Sequence, residues 1–328
     1  MNMQKMAPVG YGVLLLALLA APFLGVYPIF VMKLLCFALF AVAFNLLLGY
    51  TGLLSFGHAA FLGGAAYICG YAIKDVGATP EIGLLAGTAS GALLGLVMGW
   101  FTIRRQGIYA TMITLALAQM LFFACLQAPF TGGEDGLQGV PRGKLFGLLD
   151  LQSDLVMYYV TVVIATAAFL LIVRTIHSPF GQVLKGIKEN EARATSLGYD
   201  TNRFKLLAFV ISAAIAGLAG SLKTLVLGFA TLSDVHWSMS GHVVLMTLVG
   251  GMGTLSGPLV GAVVVVALEN KIGDLGAWLA RTTGVEWFST LGQSVTIVTG
   301  LIFIVCVLAF RRGIMGELIA WLQGRGKS

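Results

Sequence analysis

The sequence predicts an all-α protein that crosses a membrane several times. Of its 328 residues, 58% are hydrophobic and 10% are charged, a balance that excludes a soluble globular chain. Several apolar runs exceed the roughly 18 residues that a helix needs to cross a bilayer. Glycine clusters interrupt two of these runs, so we expect about 8 to 10 membrane segments that include broken or re-entrant helices. Residues 1–328 are then predicted to form a single transmembrane domain.

Half of the 20 Lys and Arg residues fall into two clusters, and membrane topology accounts for them. The formal net charge is +6 at pH 7. The clusters are the loop 174–205, with Arg174, Lys185, Lys188, Arg193, Arg203 and Lys205, and the tail, with Arg311, Arg312, Arg325 and Lys327. Because Lys and Arg favour the cytoplasmic side of a membrane protein, we expect both clusters and both termini in the cytoplasm. The charge therefore predicts no nucleic-acid partner.

Residues 9–25 and 28–48 are the first two apolar segments. Residues 1–8 lack the small-residue cleavage signature of a signal peptide, so the first segment is predicted to be a retained helix. Asn45 lies deep in the second segment. Its amide either bonds a neighbouring helix or lines a pathway, and both interpretations stay open.

Residues 49–73 predict a broken helix, because glycines, Thr51, Ser55 and His58 interrupt an apolar segment. Unwound backbone is tolerated inside a membrane only where protein buries it or where it lines a cavity. This segment, Gly52 included, is therefore a candidate pathway. His58 is either a packed, hydrogen-bonded core residue or a ligand, proton carrier or substrate contact. No second histidine or carboxylate stands at metal-ligand spacing from it.

In residues 82–103 the glycines recur at every fourth position, at Gly83, Gly87, Gly91, Gly95 and Gly99. This spacing puts them on one helix face and predicts a seam along which another helix packs closely. A four-residue basic turn then leads to 108–130, which predicts an antiparallel hairpin. Ala216 and Gly220 form a similar small-residue pair in the later segment 206–229.

Two connecting loops differ in charge. The loop 131–154 is acidic and is predicted to face the exterior. In the basic loop, Ser178 and Pro179 favour a helix start and Gly198 a helix stop, so 182–197 is predicted to be one short helix. Its mixed apolar and charged surface suits docking into a partner's groove, although a solvated connector has the same composition.

Residues 243–268 predict a second broken segment, since Gly250, Gly253 and Ser256 interrupt its middle. One continuous span here would place the basic tail outside, whereas a re-entrant hairpin or two half-spans keeps that tail cytoplasmic. The pattern Gly-x-x-Gly-x-Leu-Ser begins both at Gly49 and at Gly250. It indicates a possible two-fold internal repeat with one broken helix in each half.

The middles of the spans contain essentially no charged residues, which disfavours a transporter driven by its own proton relay. A nucleotide-binding phosphate loop is not predicted either, because the terminal Gly326-Lys327-Ser328 has Trp321 where such a loop needs its first glycine. The cysteines lie in apolar runs without a CxxC pair and are predicted to pack; they are Cys36, Cys69, Cys125 and Cys306. The sequence therefore predicts no cofactor or metal site in this chain, and energy supplied by a partner.

The basic loop resembles that of a known family. Its pattern is Gly181-Gln-x-x-Lys-x-Ile-Lys-Glu-Asn-Glu191-x-x-Ala194-x-x-x-Gly198, followed by Phe204-Lys-Leu-Leu-Ala-Phe. The supporting stretches are Gly49-Tyr-Thr-Gly-Leu-Leu-Ser-Phe-Gly-His58 and Thr131-Gly-Gly-Glu-Asp-Gly-Leu137. Over roughly residues 33 to 270 the chain resembles the permease subunits of bacterial branched-chain amino acid ABC importers, in particular the M-type. Arg193 departs from the pattern, since an alanine commonly precedes Ala194.

The resemblance implies a location, partners and residue roles. The chain would lie in a bacterial plasma membrane beside a second related permease, two ATPases that bind ATP and Mg²⁺, and an extracytoplasmic solute-binding protein. The loop helix would insert into a cleft of an ATPase and transmit its movement. The implied coupling residues are Gly181, Lys185, Glu191, Ala194 and Gly198. Near the outer mouth of the pathway would lie Thr131, Gly132 and Gly133, although a flexible surface turn has the same composition.

A neutral pathway with aliphatic walls suits Leu, Ile or Val, whose carboxylate would face half-helix N-termini. Urea, short amides and aromatic acids satisfy the same argument and stay open, as does a stand-alone facilitator. An enzyme is disfavoured, because no nucleophile–base pair is evident and the histidines are scattered at His58, His177, His236 and His242.

Overall fold

The computed structural model describes residues 12, 16–25, 27–105, 107–283, 300–301, 304 and 313–317, with only the backbone described over 272–283. The expectations for residues 1–8, for most of the segments 9–25 and 291–310, for Cys306 and for the basic tail therefore lie outside the described residues.

The described chain is mostly helical, as predicted. In chain order its helices are α1 (Pro28–Thr51), α2 (His58–Lys74), α3 (Pro80–Thr102), α4 (Ile108–Gln127), α5 (Asp154–His177), α6 (Pro179–Glu189), α7 (Glu191–Ser196), α8 (Thr201–Leu227), α9 (Trp237–Gly250) and α10 (Gly257–Thr283). Five of these, α1, α3, α4, α5 and α8, are long and apolar enough to cross a membrane. The internal repeat stays a prediction.

Helix α1 lies in the centre of the bundle. Every residue from Leu35 to Leu47 is buried, and α5, α6, α8, α9 and α10 pack around this helix. A helix that is apolar on all sides is expected in such a position. Helix α4 lies at the periphery and exposes large apolar side chains such as Met112, Met120 and Phe123. Exposed apolar faces of this kind suit contact with lipid.

The glycine seam of α3 is confirmed. A Cβ added at Gly91 would lie 2.8 Å from the Ala213 carbonyl oxygen and 3.0 Å from the Gly217 Cα, both in α8. A Cβ added at Gly87 would likewise meet the Ser221 side chain of α8. The seam therefore lets the α3 and α8 backbones touch, as the fourfold spacing predicts.

Both predicted breaks are present. Helix α1 ends at Thr51, and residues 52–57 run in an irregular path to the start of α2. The second break is a hairpin, in which α9 and α10 pack against each other and the chain reverses over residues 251–256. In this hairpin Gly250 meets the Gly257 carbonyl group without room for a side chain. The chain therefore breaks within residues 243–268, as the parity of the spans predicts.

The two ends of the bundle differ in character. We call the end with α6 and α7 the charged end, and the opposite end, reached by the other termini of α5 and α8, the ribbon end. There, two short antiparallel pairs join β1 (Leu137–Gln138) to β4 (Phe229–Ala230) and β2 (Lys144–Leu145) to β3 (Leu149–Asp150). These two-residue strands are a minor departure from the predicted all-helical fold.

The predicted single helix over 182–197 is wrong in one respect, because the structure divides it into α6 and α7. The break falls at Asn190, whose backbone is extended at φ −158°. Its side-chain Oδ1 accepts a hydrogen bond of 3.0 Å from the Arg193 N–H and so caps α7. Asparagine competes with the helix for such local hydrogen bonds, which explains the break.

Candidate functional site

The two broken segments meet at the charged end, and Asn45 joins them. Its Nδ2 donates a hydrogen bond of 2.9 Å to the Thr254 carbonyl, and its Oδ1 accepts one of 2.9 Å from the Gly253 N–H. A Cβ at Gly49 would lie 2.8 Å from the same Gly253 nitrogen. The amide of Asn45 therefore bonds a neighbouring segment, one of its two predicted roles, and brings both glycine motifs into contact.

Lys188 of α6 reaches into this junction. Its Nζ donates a hydrogen bond of 2.7 Å to the Gly49 carbonyl, one of the last four carbonyls of α1. Such carbonyls lack helical partners and carry the negative end of the helix dipole, so an ammonium group stabilises them. The side chain passes Gly52, where a Cβ would lie 3.2 Å from the Lys188 Cγ. A residue of the basic loop thus contacts the candidate pathway directly.

His58 is a packed core residue. Its Nε2 lies 2.9 Å from the Ser212 hydroxyl, which donates its own hydrogen 2.6 Å to the Ala43 carbonyl. Because that hydroxyl has one hydrogen to give, His58 must donate from Nε2. The imidazole stands edge-on to Phe44 and Phe61, with ring centroids 4.8 and 5.3 Å away. The described residues hold no cluster of three metal-ligating side chains.

Hydroxyl groups satisfy the amides at the start of α2. Ser240 accepts from the Ala59 N–H at 2.9 Å, and Thr114 accepts from the Phe56 N–H at 3.1 Å. Ser55 accepts from Gly57 at 3.2 Å. In this conformation these hydroxyl groups bind the amides that were predicted to face a solute carboxylate.

The remaining pathway candidates fall into two groups. At the charged end, the Thr51 hydroxyl bonds the Leu47 carbonyl, while Gly250 ends α9 and Gly253 and Ser256 lie in the α9–α10 turn. Thr131, Gly132 and Gly133 lie at the ribbon end, where the Thr131 hydroxyl donates 2.5 Å to the Cys125 carbonyl. The length of α4 separates the groups, about 30 Å for its 20 residues. The structure therefore does not bring all the candidates together.

The five predicted coupling residues lie together in and just beyond α6 and α7, but they mostly make contacts within the chain. Gly181 packs against the Ile176 backbone, Lys185 lies 5.8 Å from the centre of the Tyr50 ring, and Ala194 is buried. Glu191 forms an ion pair of 2.5 Å with the buried Lys205, and Gly198 has a φ of +88°, which favours glycine. Their role in contacting an ATPase stays a prediction.

A groove of about 610 Å³ opens beside these residues. Its lining is His177, Pro179, Gln182, Val183, Gly186, Glu189, Asn190, Arg193, Ala194, Leu197 and Tyr199. Leu197 is 71% exposed, and Gln182, Glu189 and Arg193 are exposed as well. Inward-facing Leu184 and Ile187 anchor α6 on the bundle. The two helices thus present a fixed surface of mixed polarity at the charged end.

Sequence reasoning missed a buried ion pair. Lys223, one turn before the end of α8, pairs with Asp234, and both side chains are less than 10% exposed. Asp234 also accepts a hydrogen bond of 3.1 Å from the Thr231 hydroxyl. Lys223 lies near the end of α8 and therefore outside the middles of the spans, where the sequence predicts essentially no charge. A lone lysine in an apolar run, followed by an aspartate eleven residues later, was the available signal.

These features define the chain as a multi-pass membrane protein with two helix breaks that meet under a pair of charged helices. The chain belongs to the family of permease components of branched-chain amino acid transport systems, whose model matches residues 29–309.

Several curated proteins are similar to this chain. The high-affinity branched-chain amino acid transport system permease protein LivM of Escherichia coli (strain K12) is 26% identical over 270 residues, which cover 74% of this chain and 62% of that protein. The probable LivM of Methanocaldococcus jannaschii is 24% identical over 220 residues, 64% of this chain and 63% of the relative. The ribose import permease RbsC of Haemophilus influenzae is 23% identical over 199 residues, 58% of each chain.

The chain therefore spans about three fifths of the length of the curated relatives that it matches. No solved structure matches it.

Proposed function

We propose that this chain is the permease subunit of an ATP-driven importer for leucine, isoleucine and valine, and that it forms the pathway with a second, related permease. The family supports the permease role. The similarity to two LivM proteins supports the substrate, while the similarity to RbsC makes the solute the first thing to test. In this role the chain is a transport subunit and not an enzyme.

The orientation follows from the basic loop. Residues 174–205 hold six of the chain's 20 Lys and Arg residues and form the charged end of the bundle. By the positive-inside rule this end would face the cytoplasm and the ribbon end the outside, in what we propose is a bacterial inner membrane. The ATPases then approach the charged end, and a solute-binding protein approaches the ribbon end.

The surface of α6 and α7 is the observation that carries the proposal. Buried Leu184 and Ile187 anchor α6 and buried Ala194 anchors α7, yet the outer groove of the two helices exposes charged and apolar groups with no described neighbour across it. A helix pair whose inner face packs on the bundle and whose outer face is exposed suits docking to an ATPase. ATP and Mg²⁺ would bind in that partner, so this chain needs no cofactor.

ATP-driven closure of two ATPases would move α6 and α7 as a unit. Helices α5 and α8 flank this pair in the chain, so rigid-body motion of the attached spans would open the pathway to each side in turn. Neutral side chains such as those of Asn45, Thr51 and Ser55 suit a zwitterionic or uncharged solute.

Purification of the tagged chain from its native membrane, followed by ATPase assays in lipid, tests the proposal. We expect recovery of two ATPases and a second permease, with ATP hydrolysis stimulated by a binding protein loaded with leucine, isoleucine or valine. The same assembly stimulated solely by ribose, urea, a short amide or an aromatic acid would replace the substrate. A chain that purifies alone and conducts solute without ATP would overturn the importer proposal in favour of a facilitator.

A further inference from the structure

Lys188, whose helix belongs to the proposed docking surface, reaches the junction of the two broken segments. The carbonyl that it binds, at Gly49, lies on α1 and is 139 residues away in sequence. A Cβ at Gly253, in the α9–α10 turn, would lie 3.4 Å from that Gly49 oxygen and 3.9 Å from Nζ. The Lys188 ammonium group therefore donates a hydrogen bond to α1 and lies close to the α9–α10 turn.

The local chemistry favours this position of the charge. Helix α1 points its carboxyl end, with its partial negative charge, at the ammonium group. Lys185, three residues earlier on the same face of α6, reaches the last turn of α1 as well, through the ring of Tyr50. Asn45 then ties α1 to the turn by two hydrogen bonds that do not involve α6. Lys188 from α6 and Asn45 from α1 thus hold the junction by separate contacts.

We propose that Lys188 is a positioning residue that keeps the ends of α1 and the α9–α10 turn closed together, and that movement of α6 withdraws it and opens the pathway at the charged end. The inference rests on the proposed function and deepens it, because it names the contact through which docking reaches the pathway. Gly52 leaves room for the Lys188 side chain, and Gly253 lies next to its Nζ.

The test compares Lys188→Met, which keeps most of the aliphatic chain without the charge, with Lys188→Arg, which keeps the charge. Arg203→Met is the matched control, because it removes a charge at the same end from a side chain that is 84% exposed. The reporter is Ser55→Cys in a chain whose native cysteines are replaced. Ser55 is 1% exposed beside the junction, so its labelling by a membrane-impermeant maleimide reports opening.

In membranes that hold the assembled importer without ATP, we expect Lys188→Met to raise the labelling rate about tenfold, the order expected for losing a hydrogen bond to a charged group. Lys188→Arg and Arg203→Met should label like the parent chain. Lys188→Met should still retain the ATPases but transport about tenfold less solute per ATP hydrolysed. A merely structural role would lower the amount of assembled protein instead of this ratio.

Asn45→Leu is the second variant, because it breaks the junction while leaving Lys188 in place. It should raise Ser55→Cys labelling in the same way. Unchanged labelling and coupling in Lys188→Met would overturn the inference. The labelling comparison needs no solute, so it separates this outcome from failure of the proposed function, in which the parent assembly itself shows no stimulation by a loaded binding protein.

Discussion

At the scale of single residues, the buried pair of Lys223 and Asp234 gives the sharpest stability prediction. Removing one partner of a buried ion pair leaves an uncompensated charge, at a cost of about 3–5 kcal/mol. We therefore expect Asp234→Asn to lower the thermal unfolding temperature clearly in lipid nanodiscs. The control is Asp154→Asn, because Asp154 is 51% exposed and its pairing with Arg142 is worth about 0–1 kcal/mol.

Restoring neutrality supplies the complementary test. The double variant Lys223→Met and Asp234→Asn removes both charges, so it should unfold at a higher temperature than Asp234→Asn alone. Equal unfolding temperatures for Asp234→Asn and Asp154→Asn would show that the buried pair does not stabilise the fold.

Single polar residues were predictable in type but not in partner. The sequence marked Asn45 and His58 as unusual, because polar groups in apolar segments need partners. Their partners, Gly253, Thr254 and Ser212, lie more than 150 residues away in the chain. Such pairings depend on how the helices pack, which no local pattern records.

At the scale of elements, the seam between α3 and α8 predicts opposite effects for two glycine-to-alanine changes. Gly91→Ala would place a methyl group against the α8 backbone, which cannot move aside cheaply, so it should destabilise the protein by about 1–3 kcal/mol. A Cβ at Gly241 in α9 meets nothing within 4 Å. Gly241→Ala should be neutral or stabilising by up to about 1 kcal/mol, because alanine favours the helix.

Thermal unfolding of both variants in the same lipid measures this difference. Equal unfolding temperatures for Gly91→Ala and Gly241→Ala would mean that the two backbones are not in contact. Propensity alone predicts the same gain at both sites, so a difference reports the packing of α3 on α8.

Elements were predicted well where one pattern dominated. The fourfold glycine spacing of α3 and the glycine clusters at both breaks determine how closely the backbones approach and where helices end. The division of 182–197 into α6 and α7 was missed, although asparagine favours an N-cap over a helix interior. The Asn190 side chain caps α7 through the Arg193 N–H, so the helix breaks at this residue.

At the scale of the whole molecule, the distribution of positive charges predicted how often the chain crosses the membrane. It did not predict that the two breaks are in contact. The parity of the spans required a broken segment near Gly250, and the structure contains it. Contact between that segment and Gly49 depends on α1 standing at the centre of the bundle. The sequence similarity of the two motifs gave no information about this contact.

The groove at the charged end predicts how the assembly responds to a reversed charge. Arg193 lines the groove and is exposed, whereas Arg203 lies outside it and pairs with Asp200 at 2.8 Å. If an ATPase docks in the groove, Arg193→Glu should weaken its binding at least about tenfold, because a mismatched charge at an interface costs several kcal/mol. Arg203→Glu changes the net charge equally and should retain the ATPase.

Co-purification at a fixed salt concentration measures how much ATPase each variant retains. Equal ATPase recovery from the two variants would place the docking surface elsewhere, whereas loss in Arg193→Glu alone, with Ser55→Cys labelling unchanged, would separate docking from the closure that Lys188 maintains.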